Sequence, residues 1–164
     1  MKEINIRQIK ESAVKLIADD WALVTAGNEE KWNTMTVSWG TIGELWGKDV
    51  AIIFIRPQRY TKEFLEHEER FSMCFFEEEY RKALAFCGSK SGREFDKAKE
   101  TGLTPLFTDG TIGFQQAKYT LICKKIAKLT MRPEDFLDAD IMQNYPADDY
   151  HIVYVGEIVK TLEK

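Results

Sequence analysis

The sequence predicts a mainly β (β+α) fold: an antiparallel β-barrel with inserted helices. Three observations carry this. About six short runs are rich in β-branched and aromatic residues and are bounded by turn residues. Helix-like segments sit between them without the regular alternation of a doubly wound sheet. No GxGxxG follows a strand, so a Rossmann dinucleotide fold has no support.

Residues 5–17 open the chain, with Ile6, Ile9, Ala13, Leu16 and Ile17 at the spacing of a short amphipathic helix that ends at Asp19-Asp20. Trp21–Thr25 reads as a strand and Gly27-Asn28 as a turn. Asn33–Thr41 alternates small polar and apolar residues and pairs with that strand as a hairpin across Gly27–Trp32. Gly40–Lys48 reads as a glycine-containing loop. Its GKD ending lacks the spacing of a phosphate-binding P-loop, because only three residues separate Gly43 from Gly47 and Asp49 stands where Ser or Thr is needed.

Val50–Ile55 is a buried-strand run, and a helix restarts over Lys62–Glu66. Phe71–Phe76 is the next strand. Glu77–Glu79 follows, read either as a solvated strand end before a helix or as a carboxylate cluster. Tyr80–Cys87 predicts a helix stopped by Gly88. Ser91 and Glu94 have capping-box spacing for a second helix over Gly92–Thr101, closed by Gly102 and Pro105. Phe107–Phe114 turns at Asp109-Gly110. Ala117–Leu129 is a long strand. Residues 132–149 form an acidic loop with one helical turn at Glu134–Leu137. Tyr150–Leu162 is the final strand, in which Gly156 marks a bulge or a close backbone approach.

Composition narrows the function. A chain of 164 residues suits one domain, spanning 1–164. The net charge of −4 lacks the basic footprint of a nucleic-acid reader. No apolar run approaches the roughly 20 residues that span a bilayer, and the N-terminus lacks a signal-peptide core. The expected setting is the cytoplasm, with neither nucleic acid nor membrane as partner. Cys74, Cys87 and Cys123 are far apart and read as buried small hydrophobes. His67-Glu68-Glu69 begins like a zinc-protease motif, but position 71 is Phe, so no metal site is expected.

The chemistry concentrates in Val50–Leu65, VAIIFIRPQRYTKEFL. A strand that turns through basic and hydroxyl residues into a helix N-terminus is suited to anions, because free backbone N–H groups and the helix dipole face the same point. Arg59 adds a planar fork for phosphate oxygens. A second polar helix start lies at Ser89–Lys97, where Ser91 is equally suited to be a cap and Lys90, Arg93 and Lys97 to be solvated charges. No Ser-His-Asp or Cys-His set has a credible context.

Four stretches taken together resemble the flavin reductase-like FMN-binding family of the split β-barrel fold, and flavoredoxins within it. They are NTMTVSWGTIGELWGK (33–48), IRPQRYTKEFLE (55–66), EEEYRKALAFCGSKSGREFDKAKETGLTP (77–105) and HIVYVGEIVK (151–160). The match runs in the same order over residues 20 to 160. The resemblance implies a homodimer whose FMN sites lie between a barrel and its partner subunit. It implies FMN as cofactor, NADH or NADPH as co-substrate, and a small-molecule or protein electron acceptor. Asn33 and Trp39 would face the flavin, with Met35 against the ring. Thr36, Val37 and Ser38 would offer backbone and hydroxyl contacts to the isoalloxazine edge. Arg56, Arg59, Tyr60 and Thr61 would surround the phosphate and ribityl chain, and Ser89, Ser91 and Lys97 would close the site. Viewed alone, Trp39 is also compatible with a core tryptophan and Asn33 with a hairpin cap. His151 matches a family histidine whose role is a structural hydrogen bond or a cofactor contact. The function implied is an FMN-binding oxidoreductase; the alternative is an FMN-carrying electron-transfer protein without NAD(P)H oxidase activity.

Overall fold

In the computed structural model, which describes residues 1–164, the apolar runs become ten strands and three α-helices. The strands are β1 (Lys2–Ile4), β2 (Ala22–Gly27), β3 (Trp32–Val37), β4 (Gly40–Leu45), β5 (Lys48–Ile55), β6 (Arg70–Phe75), β7 (Pro105–Thr108), β8 (Thr111–Phe114), β9 (Tyr119–Thr130) and β10 (Ile152–Glu163). The helices are α1 (Tyr60–His67), α2 (Arg81–Ser89) and α3 (Lys97–Thr101). Seven strands run in the order β3-β2-β6-β9-β10-β5-β4, and β1 pairs with β10 to complete one eight-stranded antiparallel sheet. The expected mainly β architecture is present. Its ladder stays open between β3 and β4, which lie at the two ends of the order.

Period-two alternation sorts the side chains. Val24 of β2, Met73 of β6, Ile53 of β5 and Leu121 of β9 meet in one core with Phe71, Tyr154 and Leu65, so the sheet curls around a single interior. The opposite faces of β2 and β6 are buried too. Leu23 and Cys74 pack there against Leu84 and Cys87 of α2 and Phe114 of β8. Both faces of β2 are therefore covered, and all six of its residues are buried. Leu84 is nearly inaccessible. Burying such a side chain contributes about 1.5–3 kcal/mol, which fixes α2 against the sheet. All three cysteines are buried and unpaired. No helix is long and apolar enough to cross a membrane.

Several local expectations are corrected. The helix over 5–17 is replaced by a single 3₁₀ turn at Ile6–Gln8 and a π-helical turn at Lys15–Asp20. Ile4, Ile6 and Ile9 instead lie along the outside of the core, a non-local packing that overrides the local spacing. Gly40–Lys48 is not a loop: β4 and the start of β5 form a hairpin, with Trp46 and Gly47 at positive φ in its turn. Gly88 does not stop α2, which runs to Ser89. A Cβ on Gly88 would stand 3.2 Å from the Thr36 Cβ, so this glycine allows α2 to approach β3. The second helix starts late, at Lys97, where the Asp96 side chain caps it by accepting from the Lys99 N–H. The 132–149 loop contains two 3₁₀ turns, Pro133–Asp135 and Ala139–Asn144. Gly156 fulfils both expectations. The β9–β10 register slips beside it, and an added Cβ would fall 2.7 Å from the Phe71 ring.

Candidate functional site

The Arg56-Pro57 break ends β5 and swings the chain into α1. No side chain caps this helix; the Lys62 N–H bonds back to the Arg59 carbonyl at 3.0 Å, which leaves the Tyr60 and Thr61 N–H groups for a ligand. Facing it is the end of α2 and the segment 88–92. Between these walls lies a recess of about 190 Å³, lined by Asn33, Arg59, Tyr60, Thr61, Lys90 and Lys97 among others. No Asp or Glu lines it.

Its floor is tightly bonded. Thr61 is fully buried, and its hydroxyl accepts from the Asn33 side-chain amide at 2.8 Å. Arg59 Nη1 donates to the Gly88 carbonyl at 2.9 Å. One bond leaves most of the five guanidinium N–H groups free of protein acceptors. Burial lowers the Arg59 pKa, though a guanidinium stays charged. Lys97 is only 5% exposed. Its ammonium donates to the Thr34 and Cys87 carbonyls, both at 2.7 Å. Burial lowers its pKa to about 8, and the Arg59 charge acts in the same direction. A Cβ on Gly92 would fall 1.8 Å from Asn33 Oδ1, so only glycine lets this wall close on β3.

A second recess, also about 190 Å³, adjoins the first through Met35 and Arg59. Thr36, Val37, Ser38, Trp39, Phe54, Arg56 and His151 line the rest of it. Thr36 donates its hydroxyl to the Leu84 carbonyl, tying β3 to α2. Trp39 is 50% exposed and its ring lies 5.4 Å from that of His151. His151 is buried, with Nδ1 2.7 Å from the Tyr145 hydroxyl. Burial, aided by the Arg56 charge, lowers its pKa to about 4, so the imidazole is neutral near pH 7. The 132–149 loop borders this recess. Asp149 pairs with Arg56 at 2.7 Å and accepts from Gln58 at 2.7 Å. Arg56 also donates to the Asn144 carbonyl at 2.8 Å and lies over the Tyr145 ring.

The sequence-derived residues thus separate into two groups. Asn33, Arg59, Tyr60, Thr61, Ser89, Ser91 and Lys97 gather at the polar recess, and Thr36–Trp39 at the aromatic one, with Met35 between them. Arg56 departs from the expected position. It lines the aromatic recess and is engaged by the 132–149 loop through Asp149 and the Asn144 carbonyl. Asn33 sits at the polar end, with one of its two amide N–H donors given to Thr61. Ser91 accepts from the Arg93 N–H at 3.2 Å and Ser89 donates to the Ala85 carbonyl at 2.9 Å, so both also serve local structure. Trp39 is no core residue. Sequence reasoning missed Gln58, Phe54, Gly88, Gly92 and Tyr145. The two glycines flanking Ser-Lys-Ser were the available signal for a close backbone approach.

Comparisons with known proteins bear on the family and the fold. A model of the family described as flavin reductase like domain matches residues 14–164. No curated protein matches. Among solved structures, flavoredoxin from Methanosarcina acetivorans superposes with a TM-score of 0.71 at 18% identity, covering 100% of this chain and 76% of its own. An FMN-binding protein from Thermus thermophilus, solved with p-hydroxybenzaldehyde, gives 0.72 at 21%, covering 100% and 82%. An NADH:FAD oxidoreductase from Streptomyces globisporus gives 0.66 at 16%, covering 88% and 74%. At these identities the likeness is one of fold.

Proposed function

The chain belongs to the flavin reductase like domain family, and from that premise we propose that it binds FMN and works as an oxidoreductase. Hydride or electrons would pass between NADH or NADPH and the flavin, or from the flavin to a small-molecule or protein acceptor. The observation that carries this reading is the pair of adjoining recesses. One is cationic and free of carboxylates; the other is bordered by Met35, Trp39 and Phe54. A flat, largely apolar ring joined to a phosphate asks for that combination.

When bound, the flavin supplies the redox chemistry. The residues of this chain hold and orient it. Arg59 and Lys97 offer charge-assisted donors, and the first N–H groups of α1 add neutral ones. Thr61 and Asn33 brace each other and fix the start of α1 relative to β3. Met35 and Trp39 supply apolar surface, and Ser38 polar groups, at the ring end. Neutral His151 adds no charge there, and its bond to Tyr145 anchors the loop. A homodimer belongs to the same proposal: half-exposed Trp39 leaves apolar surface at the open side of the ring recess, which a second copy would cover.

The test is a visible-spectrum titration with FMN, followed by steady-state oxidation of NADH and NADPH. Saturable spectral perturbation with nucleotide turnover is expected. Tight FMN binding without turnover selects the electron-carrier role, and an unperturbed flavin spectrum rejects both. Solution mass measured with and without FMN tests the dimer.

A further inference from the structure

We infer that Arg93 and Glu63, acting across the ring of Tyr60, make the polar recess select a flavin mononucleotide over a flavin dinucleotide. The inference rests on the flavin-binding reading above. Arg93 and Glu63 lie outside both recess linings, while Tyr60 lines the polar one.

The polar recess has two walls, the first turn of α1 and the segment 88–92. Arg93 directly follows that segment. Its guanidinium lies 4.5 Å from the centroid of the Tyr60 ring and pairs with Glu63, three residues further along α1. The Tyr60 ring is held in place by an edge contact with Phe64, at 5.1 Å between centroids. Arg93 therefore bridges from one wall to the other at the edge of the recess.

Three features of the recess make that bridge a filter. First, Arg59, Lys90 and Lys97 line it without a carboxylate. A terminal phosphate carries close to two negative charges at neutral pH, its second pKa being about 6. Inside a dinucleotide the same phosphate is one half of a pyrophosphate and carries one charge, the other lying on the neighbouring phosphate outside the recess. Second, about 190 Å³ suffices for a phosphate and part of a sugar chain, well short of the roughly 300 Å³ or more that larger ligands occupy. Third, the side towards Met35 and Arg59 leads into the ring recess. The bridge spans from α1 to the residue that follows the 88–92 segment, so a substituent on the phosphate that leaves between these two walls meets it. Passing it means giving up the Arg93–Glu63 pair and the stacking on Tyr60. Both charged side chains are about half exposed, so the bridge can open, and selection takes the form of a ratio.

The experiment measures Kd for FMN and for FAD by flavin fluorescence on the full chain, for wild type, Arg93→Ala and Glu63→Ala. Wild type is expected to prefer FMN. Each substitution is expected to move the FAD-to-FMN Kd ratio towards FAD by roughly tenfold, the scale of an exposed ion pair plus one cation–π contact. Arg93→Lys, which keeps the charge and loses the planar stack, is expected to move it part of the way. The Glu63 variant keeps the test decisive if Arg93→Ala folds poorly. A ratio unchanged in both alanine variants, with FMN still bound tightly, overturns the inference and leaves the parent reading intact. So does a wild-type protein that binds both flavins equally. Wild type binding neither flavin removes the parent reading, and this one with it.

Discussion

The two recesses share Met35 and Arg59 but are held in different ways. The polar recess is built from buried groups locked to the main chain. Lys97 reaches the Thr34 and Cys87 carbonyls, Arg59 the Gly88 carbonyl, and Asn33 the Thr61 hydroxyl. The elements behind it are pinned by Leu84 and Leu65 in the two cores. The aromatic recess is bordered instead by a loop, and that loop is held chiefly by side chains: Arg56 to Asp149, Gln58 to Asp149, and Tyr145 to His151. Under the proposed function, anion capture is the rigid part of the site and ring access the adjustable part. Catalytic sites need firm positioning for the cofactor and a path that opens for its reaction partners.

Arg59→Ala should break the rigid half most severely. Removing a partly buried guanidinium from a carboxylate-free recess costs charge-assisted hydrogen bonds worth about 1.5–3 kcal/mol each. FMN affinity should fall about 100-fold or more in a fluorescence titration. Riboflavin, which lacks the phosphate, should bind within about threefold of its wild-type affinity. Equal losses for both ligands would mean that Arg59 does not address the phosphate.

Gly92→Ala probes the same half through the backbone. The new Cβ would overlap Asn33 Oδ1, forcing either the 88–92 segment or β3 to move. Overpacking of this kind costs about 1–3 kcal/mol. Denaturant unfolding should show a loss in that range, accompanied by weaker FMN binding. Unchanged stability would show that the segment is more compliant than its contacts indicate.

The fold was largely legible before the structure. Strands such as Val50–Ile55 and Phe71–Phe76 carry apolar runs whose length and β-branching suffice. What escaped was decided by distant partners. Gly40–Leu45 reads as a loop because its two glycines and scattered polar residues carry no pattern, yet it pairs residue by residue with β5. Ile6 and Ile9 have helical spacing, but only short turns form there, and both side chains pack against the core. At the site, the grouping of Arg59, Tyr60 and Thr61 in one recess was visible because helix-start chemistry is local. The role of Arg56 was not, since its partner Asp149 lies 93 positions further on in the sequence. Tyr145 was equally hidden in a stretch that reads only as an acidic loop.

Protonation separates the halves further. Burial lowers Lys97 to about pH 8, below its unfolded value. Between those two values the folded chain binds fewer protons than the unfolded one. The free protein therefore gains stability as pH rises through that window. FMN should favour charged Lys97, so its affinity should fall above about pH 8, approaching tenfold per unit, while riboflavin binding stays flat. His151 acts in the acid range. Its pKa of about 4 lies below the ordinary histidine value. The protein should therefore lose roughly 1–3 kcal/mol of stability as pH falls from about 6.5 to 4. Urea midpoints at several pH values, for wild type and His151→Gln, report whether that loss belongs to this imidazole.

Tyr145→Phe is the gentlest change and separates the halves most cleanly. It removes one hydroxyl, keeps the ring stacked on Phe136, and touches nothing in the polar recess. The His151 Nδ1 loses its partner, which costs about 1 kcal/mol and should lower the melting temperature slightly. FMN affinity should stay within about threefold, because the Arg59 and Lys97 contacts are intact. Turnover, or the KM for the acceptor, should shift by more than the FMN affinity does, since the loop beside Trp39 is less firmly held. Arg59→Ala predicts the reverse pattern: affinity is lost, and turnover is recovered at saturating FMN. If Tyr145→Phe instead weakened FMN as strongly as Arg59→Ala, the loop and the phosphate end would be one cooperative unit. The division between a rigid anion cradle and an adjustable ring entrance would then be wrong.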